Sequence, residues 1–155
     1  MTREGPETKL VRKMREAGAA KYGSQLVMVK YHGSQFGETG VSDLLCVLNG
    51  VFVAVEVKAP ESYGGSVEKA LEKGPTVKQR LFGKRVEKAG GVFDVCATID
   101  GFLETLFAAE RMSWDDEERA TWEASQRPVE PVVWGPEFMD YVKSRDYRDD
   151  ASTHA

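Results

Sequence analysis

The chain has 155 residues, 41% hydrophobic and 30% charged, which suits a single globular domain with a core of its own and excludes collagen-like or wholly disordered classes. No apolar run approaches the roughly 20 residues of a membrane span, and the opening "MTREGPETKL" lacks the apolar stretch of a secretory signal, so the expectation is a soluble cytoplasmic protein, bacterial or of an infected host. Charge is uneven: residues 1–100 hold 15 Lys and Arg against 12 Asp and Glu, while residues 101–155 hold 6 against 13; a mildly basic body can still meet nucleic acid, because the local field matters more than the total.

In chain order, Pro6 to Gly18 reads as a helix. Proline suits its first position, glycine its stop, and Leu10, Val11, Met14 and Ala17 make an apolar stripe. Gln25 to His32 reads as a strand and Gly33 to Gly40 as a flexible loop. Two apolar runs follow, joined by Asn49-Gly50, the strongest short hairpin signal. The polar stretch "ESYGGSVEKALEKG" is long for a connection. It has room for one helical turn or two, and such length favours a functional or mobile segment. Thr76 to Ala89 reads as a helix, Val92 to Ile99 as a strand and Gly101 to Arg111 as a helix with Phe102, Leu103, Leu106 and Phe107 on one side. Residues 1–111 thus form the predicted domain, and 112–155 an acidic extension. Its Trp114, Trp122, Trp134, Phe138 and Tyr141 are expected to pack back on the body in part, and its last residues are expected to stay unfolded. Cys46 and Cys96 read as buried free thiols. His32 and His154 lie too far from them in sequence for a structural zinc site.

The hairpin carries the chemistry. With a two-residue loop Leu48 faces Val51, and counting outward puts Asp43 opposite Glu56. Alternation places Lys58 on the face of Glu56. Directly opposed side chains lie about 4.5–5.5 Å apart at Cβ. Two carboxylates so placed repel and resist burial unless something neutralises them. Lys58 can do so as a simple ion pair. A divalent cation can do so as well, since Mg²⁺ is commonly held by one or two carboxylates. The hairpin alone leaves both open.

"GVSD" (Gly40–Asp43), "VEVKAP" (Val55–Pro60) and "PTVKQ" (Pro75–Gln79) together resemble the VRR-NUC branch of the PD-(D/E)xK nuclease superfamily. The resemblance spans about residues 4–107, with Ser42 standing where that family usually has proline. It implies a mixed α/β, or α+β, fold: a restriction-endonuclease-like αβββαβ core with a mixed central sheet flanked by helices. It also implies Mg²⁺ or Mn²⁺ held by Asp43, Glu56, the Val57 carbonyl and an acid of the first helix. Glu7 is the first choice for that acid and Glu4 the second. Lys58 is implied to position the attacking water and offset phosphate charge; nearby carboxylates oppose the lowered pKa that a lysine base needs. Gln79 is implied beside the lysine and water, although Thr76-x-x-Gln79 is also a capping box, so the two uses compete. Lys30, His32, Lys78, Arg80 and Lys84 are candidate DNA contacts. The activity implied is a metal-dependent DNA endonuclease, selective for structures such as four-way junctions or flaps, acting as a homodimer without nucleotide cofactor or membrane. A non-cutting DNA-binding module and a sequence-specific restriction-type enzyme are the alternatives.

Overall fold

The computed structural model of the chain describes residues 4–33, 37–126 and 136. Its elements are α1 (Pro6–Tyr22), β1 (Leu26–Lys30), β2 (Leu44–Leu48), β3 (Val51–Val57), α2 (Val67–Lys73), α3 (Val77–Lys88), β4 (Val92–Cys96), α4 (Ile99–Met112) and α5 (Asp116–Ser125), with 3₁₀ turns at Gly23–Gln25 and Pro60–Tyr63. The chain divides into two compact units, Met1–Arg119 and Ala120–Ala155. The boundary falls within α5, whose start is fixed by a reciprocal cap: the Glu118 amide donates to Asp115 Oδ1 at 2.8 Å and the Asp115 amide to Glu118 Oε2 at 3.0 Å. Trp134, Phe138, Tyr141 and the final residues lie outside the described residues.

The first unit is a mixed α/β structure with one four-stranded sheet flanked by helices, in strand order β1-β2-β3-β4. β1, β2 and β3 are antiparallel, and β4 runs parallel to β3. The turn behaves as its sequence requires. Asn49 and Gly50 both take positive φ, +48° and +83°, which sets Leu48 against Val51 and Leu44 against Val55. The alternate residues Leu44, Cys46, Leu48, Val53, Val55 and Val57 then point into one core, closed by Val11 and Met14 of α1 and Phe102 and Leu106 of α4. On the opposite face α3 packs against β3 and β4.

Several boundaries differ from the sequence expectation, each for a packing or capping reason. α1 does not stop at Gly18 but runs to Tyr22. A Cβ at Gly18 would lie 2.9 Å from Leu26 and 3.1 Å from the Met28 sulfur, so this glycine permits close packing on β1 rather than ending the helix. β1 ends at Lys30, leaving Tyr31 and His32 outside it. The stretch after Lys58 holds the expected two helical turns as the seven-residue α2, capped by Ser66, and adds a 3₁₀ turn that starts at Pro60. β4 ends at Cys96, because Thr98 serves as N-cap of α4, its hydroxyl accepting from the Gly101 amide at 2.9 Å.

Candidate active site

The β2–β3 hairpin puts Asp43 and Glu56 together. Leu44 and Val55 point into the main core, so their neighbours Asp43 and Glu56 point to the other face, toward α3. Asp43 is anchored at the strand end, where its Oδ2 accepts from the Val57 amide at 2.9 Å. The Lys58 amide instead donates to the Cys96 carbonyl of β4. The Val57 carbonyl shares a trans peptide with that Lys58 amide and points the opposite way, to the Asp43 side.

Glu56 is only 2% exposed. One oxygen, Oε1, takes two donors: the Gln79 amide Nε2 at 2.7 Å and the Lys58 ammonium at 3.2 Å. The other, Oε2, is buried and has no hydrogen-bond partner among the described residues. Burial raises the Glu56 pKa to about 7; Asp43 adds to the rise, and Lys58 opposes it. Asp43 stands close, but two ionised carboxylates have no proton to share. A hydrogen bond between them therefore needs one of the two to keep its proton, which is why Asp43 raises the Glu56 pKa while the Lys58 ammonium lowers it. Lys58 is pulled down by its burial, but Glu56 outweighs that, with Tyr63 and Glu7 adding, and the net shift is upward.

α3 delivers Gln79. Its Oε1 accepts from the Thr76 amide at 2.8 Å, and the Thr76 hydroxyl accepts from the Gln79 amide at 3.3 Å, completing the capping box. The expected competition between cap and site does not arise. A primary amide has two ends, and the carbonyl serves the helix while the NH₂ serves Glu56. Two glycines bring the helix this close. A Cβ at Gly83 would fall 2.4 Å from the Phe93 ring, and one at Gly40, whose φ is +84°, would fall 2.6 Å from Lys78 Cβ.

The remaining predicted residues divide. Glu7 is half-buried on α1 and acts on Lys58 through its charge. Among the described residues no three His, Cys, Asp or Glu side chains gather into a metal-holding group, so Glu7 does not join Asp43 and Glu56 in a three-acid cluster. Glu4, just before α1, is turned to Arg12 of that helix at 3.5 Å. Lys30 donates to Thr8 at 3.3 Å. His32, Lys78, Arg80 and Lys84 are exposed. One further residue has no motif in the sequence to mark it. Tyr63, in the 3₁₀ turn, acts on Lys58; the long segment after Lys58 was its only signal. The Ser42 hydroxyl is buried beside Asp43 in sequence, with no hydrogen-bond partner among the described residues.

Comparisons of the chain with protein-family models, curated proteins and solved structures return no match. Among the described residues no helix is long and apolar enough to cross a membrane.

Proposed function

We propose that this chain is a metal-dependent DNA endonuclease of the VRR-NUC type, hydrolysing phosphodiesters by water attack, selective for branched DNA and acting as a homodimer. The observation that carries the reading is the buried Glu56 Oε2, without a hydrogen-bond partner among the described residues and beside the Asp43 carboxylate. A structural salt bridge accounts for Oε1 and leaves Oε2 either to a proton held with Asp43 or to a cation, and buried polar atoms are rarely left unpaired. Mg²⁺ or Mn²⁺ fits this donor set of two carboxylates and the Val57 carbonyl, all hard oxygen ligands. When bound, such an ion supplies charge stabilisation at the scissile phosphate and a more acidic water.

The protein's own groups have distinct tasks. Gln79 and Lys58 fix Glu56 by one oxygen and so aim the other. Lys58 remains protonated near neutral pH, since its pKa is raised. It therefore positions water and offsets phosphate charge rather than taking a proton. Four-way, flap and linear DNA incubated with Mn²⁺ test the proposal. Cutting by the wild type is expected, lost by about a hundredfold or more in Asp43→Asn and Lys58→Ala. Binding without cutting across metals and DNA shapes would make the chain a DNA-holding module. Cutting at one fixed sequence of linear duplex would make it a restriction-type enzyme.

A further inference from the structure

A cleft of about 260 Å³ lies between α1 and the 3₁₀ turn after Lys58, and Lys9, Leu10, Lys13, Pro60, Glu61 and Gly65 line it. Both walls continue from the site. The 3₁₀ turn Pro60–Tyr63 begins two residues after Lys58 and packs against α1, whose Thr8 accepts from Lys30 at the end of β1 at 3.3 Å. On α1, Arg12 is committed to Glu4 at 3.5 Å and Glu16 at 3.1 Å. Lys9 and Lys13 make no ion pair with the described residues and are exposed. They stand at i and i+4, so their Cβ atoms are roughly 5–6 Å apart on one helix face, close to the separation of successive phosphates along a strand. Leu10 and Pro60 give the cleft an apolar floor against which sugars can lie.

We infer that this cleft holds the sugar-phosphate backbone of a nucleic-acid strand leaving the Asp43–Glu56 site, with Lys9 and Lys13 each neutralising one phosphate. The inference rests on the nuclease reading for the direction of the strand, but not for the binding itself. Glu61 faces the lysines across the cleft, so the phosphates run along the α1 wall and Glu61 weakens their hold. Lys78, Arg80 and Lys84 lie on α3 and do not line this cleft.

The experiment measures binding of a fluorescently labelled four-way junction and a linear duplex by anisotropy in Ca²⁺, over a range of salt, and separately the cutting in Mn²⁺. For Lys9→Gln/Lys13→Gln, affinity is expected to fall about tenfold. The slope of log K against log salt should become shallower by about 2, one phosphate for each lysine. KM should rise with kcat little changed. Glu61→Gln is expected to bind a few-fold more tightly. A charge-matched control, Lys69→Gln/Lys73→Gln on α2, is expected to change the slope by much less. An unchanged slope in the Lys9/Lys13 variant, or equal effects in variant and control, overturns the inference. So does a wild type that binds neither DNA. Wild-type binding with the predicted slopes but no cutting sinks the nuclease reading and leaves the cleft assignment standing.

Discussion

Glu56 has to ionise in surroundings that oppose it. Burial first, and Asp43 second, hold its pKa at about 7 instead of the ordinary 4.5. The sign of the linkage follows. The folded protein binds this proton more tightly than the unfolded chain, so without metal the stability contribution is fully present below about 4.5. It declines as pH rises to about 7 and is level above that. A cation needs the ionised form and must expel the proton below that pKa. Calorimetric Mn²⁺ affinity is accordingly expected to climb between pH 5 and 7, by up to about tenfold per pH unit for one displaced proton, and to flatten above. Glu56→Gln should lose both the affinity and its pH dependence. Tight wild-type binding that is flat across this range would show that no proton is displaced, and that the metal lies elsewhere.

At the scale of elements, α3 decides whether Glu56 is aimed. Gln79 joins the helix start to the carboxylate through the two ends of one amide, and each end can be cut separately. Glutamate at this position keeps an acceptor for the Thr76 amide and gains from the helix dipole, but cannot donate to Glu56 once ionised. Gln79→Glu keeps the cap but sets a third carboxylate against Glu56, so it should melt about 1–3 kcal/mol below the wild type without metal while cutting at least about tenfold more slowly, the usual loss for a residue that orients a metal ligand. Gln79→Ala should lose cap and aim together, with about 1 kcal/mol off the stability. Thermal melts at low and neutral pH beside cutting assays separate the two, since only the like-charge loss fades with protonation, and identical behaviour of both variants would show that the amide does not act through its two ends. The cap was legible in the sequence because Thr-x-x-Gln is local. The hairpin register was legible because a two-residue turn leaves no freedom in the count. The second use of Gln79 was not legible, since it depends on how near α3 comes to β3. Gly83 against Phe93 and Gly40 against Lys78 set that approach, and neither reads in the sequence as anything but a helix interruption and a loop end. Gly18 misled for the same reason: a glycine that ends a helix and one that lets a strand approach look alike until the strand is placed.

For the whole molecule, the proposed dimer needs a surface, and the sheet offers one. α3 covers β3 and β4, but on the same face Val27, Val47 and Phe52 lie in one row across β1, β2 and β3 and are 60%, 40% and 37% exposed, and Val29 in the next row is 55% exposed. Among the described residues β1 is an edge strand. The Tyr31 amide donates to the Asp43 carbonyl and the Asn49 amide to the Gln25 carbonyl. Odd-numbered residues of β1 therefore bond to β2, and the peptide groups of Leu26, Met28 and Lys30 turn outward. A twofold axis at Met28 would pair this edge with that of a second copy in antiparallel register. Val27 would then face Val29 of the copy, and the two apolar faces would join across a continuous sheet. Four side chains cannot supply the roughly 800 Å² per partner of a stable interface, so the strand pairing itself must contribute. Val29→Lys puts like charges close together across that axis and leaves the core untouched, because Val29 points away from it. Sedimentation of the wild type at about 50 μM is expected to give a dimer, and of Val29→Lys a monomer with an unchanged melting temperature at low concentration. A wild type that sediments as a monomer throughout would remove the dimer from the proposal. A dimer indifferent to Val29→Lys would keep the dimer and place its interface away from β1.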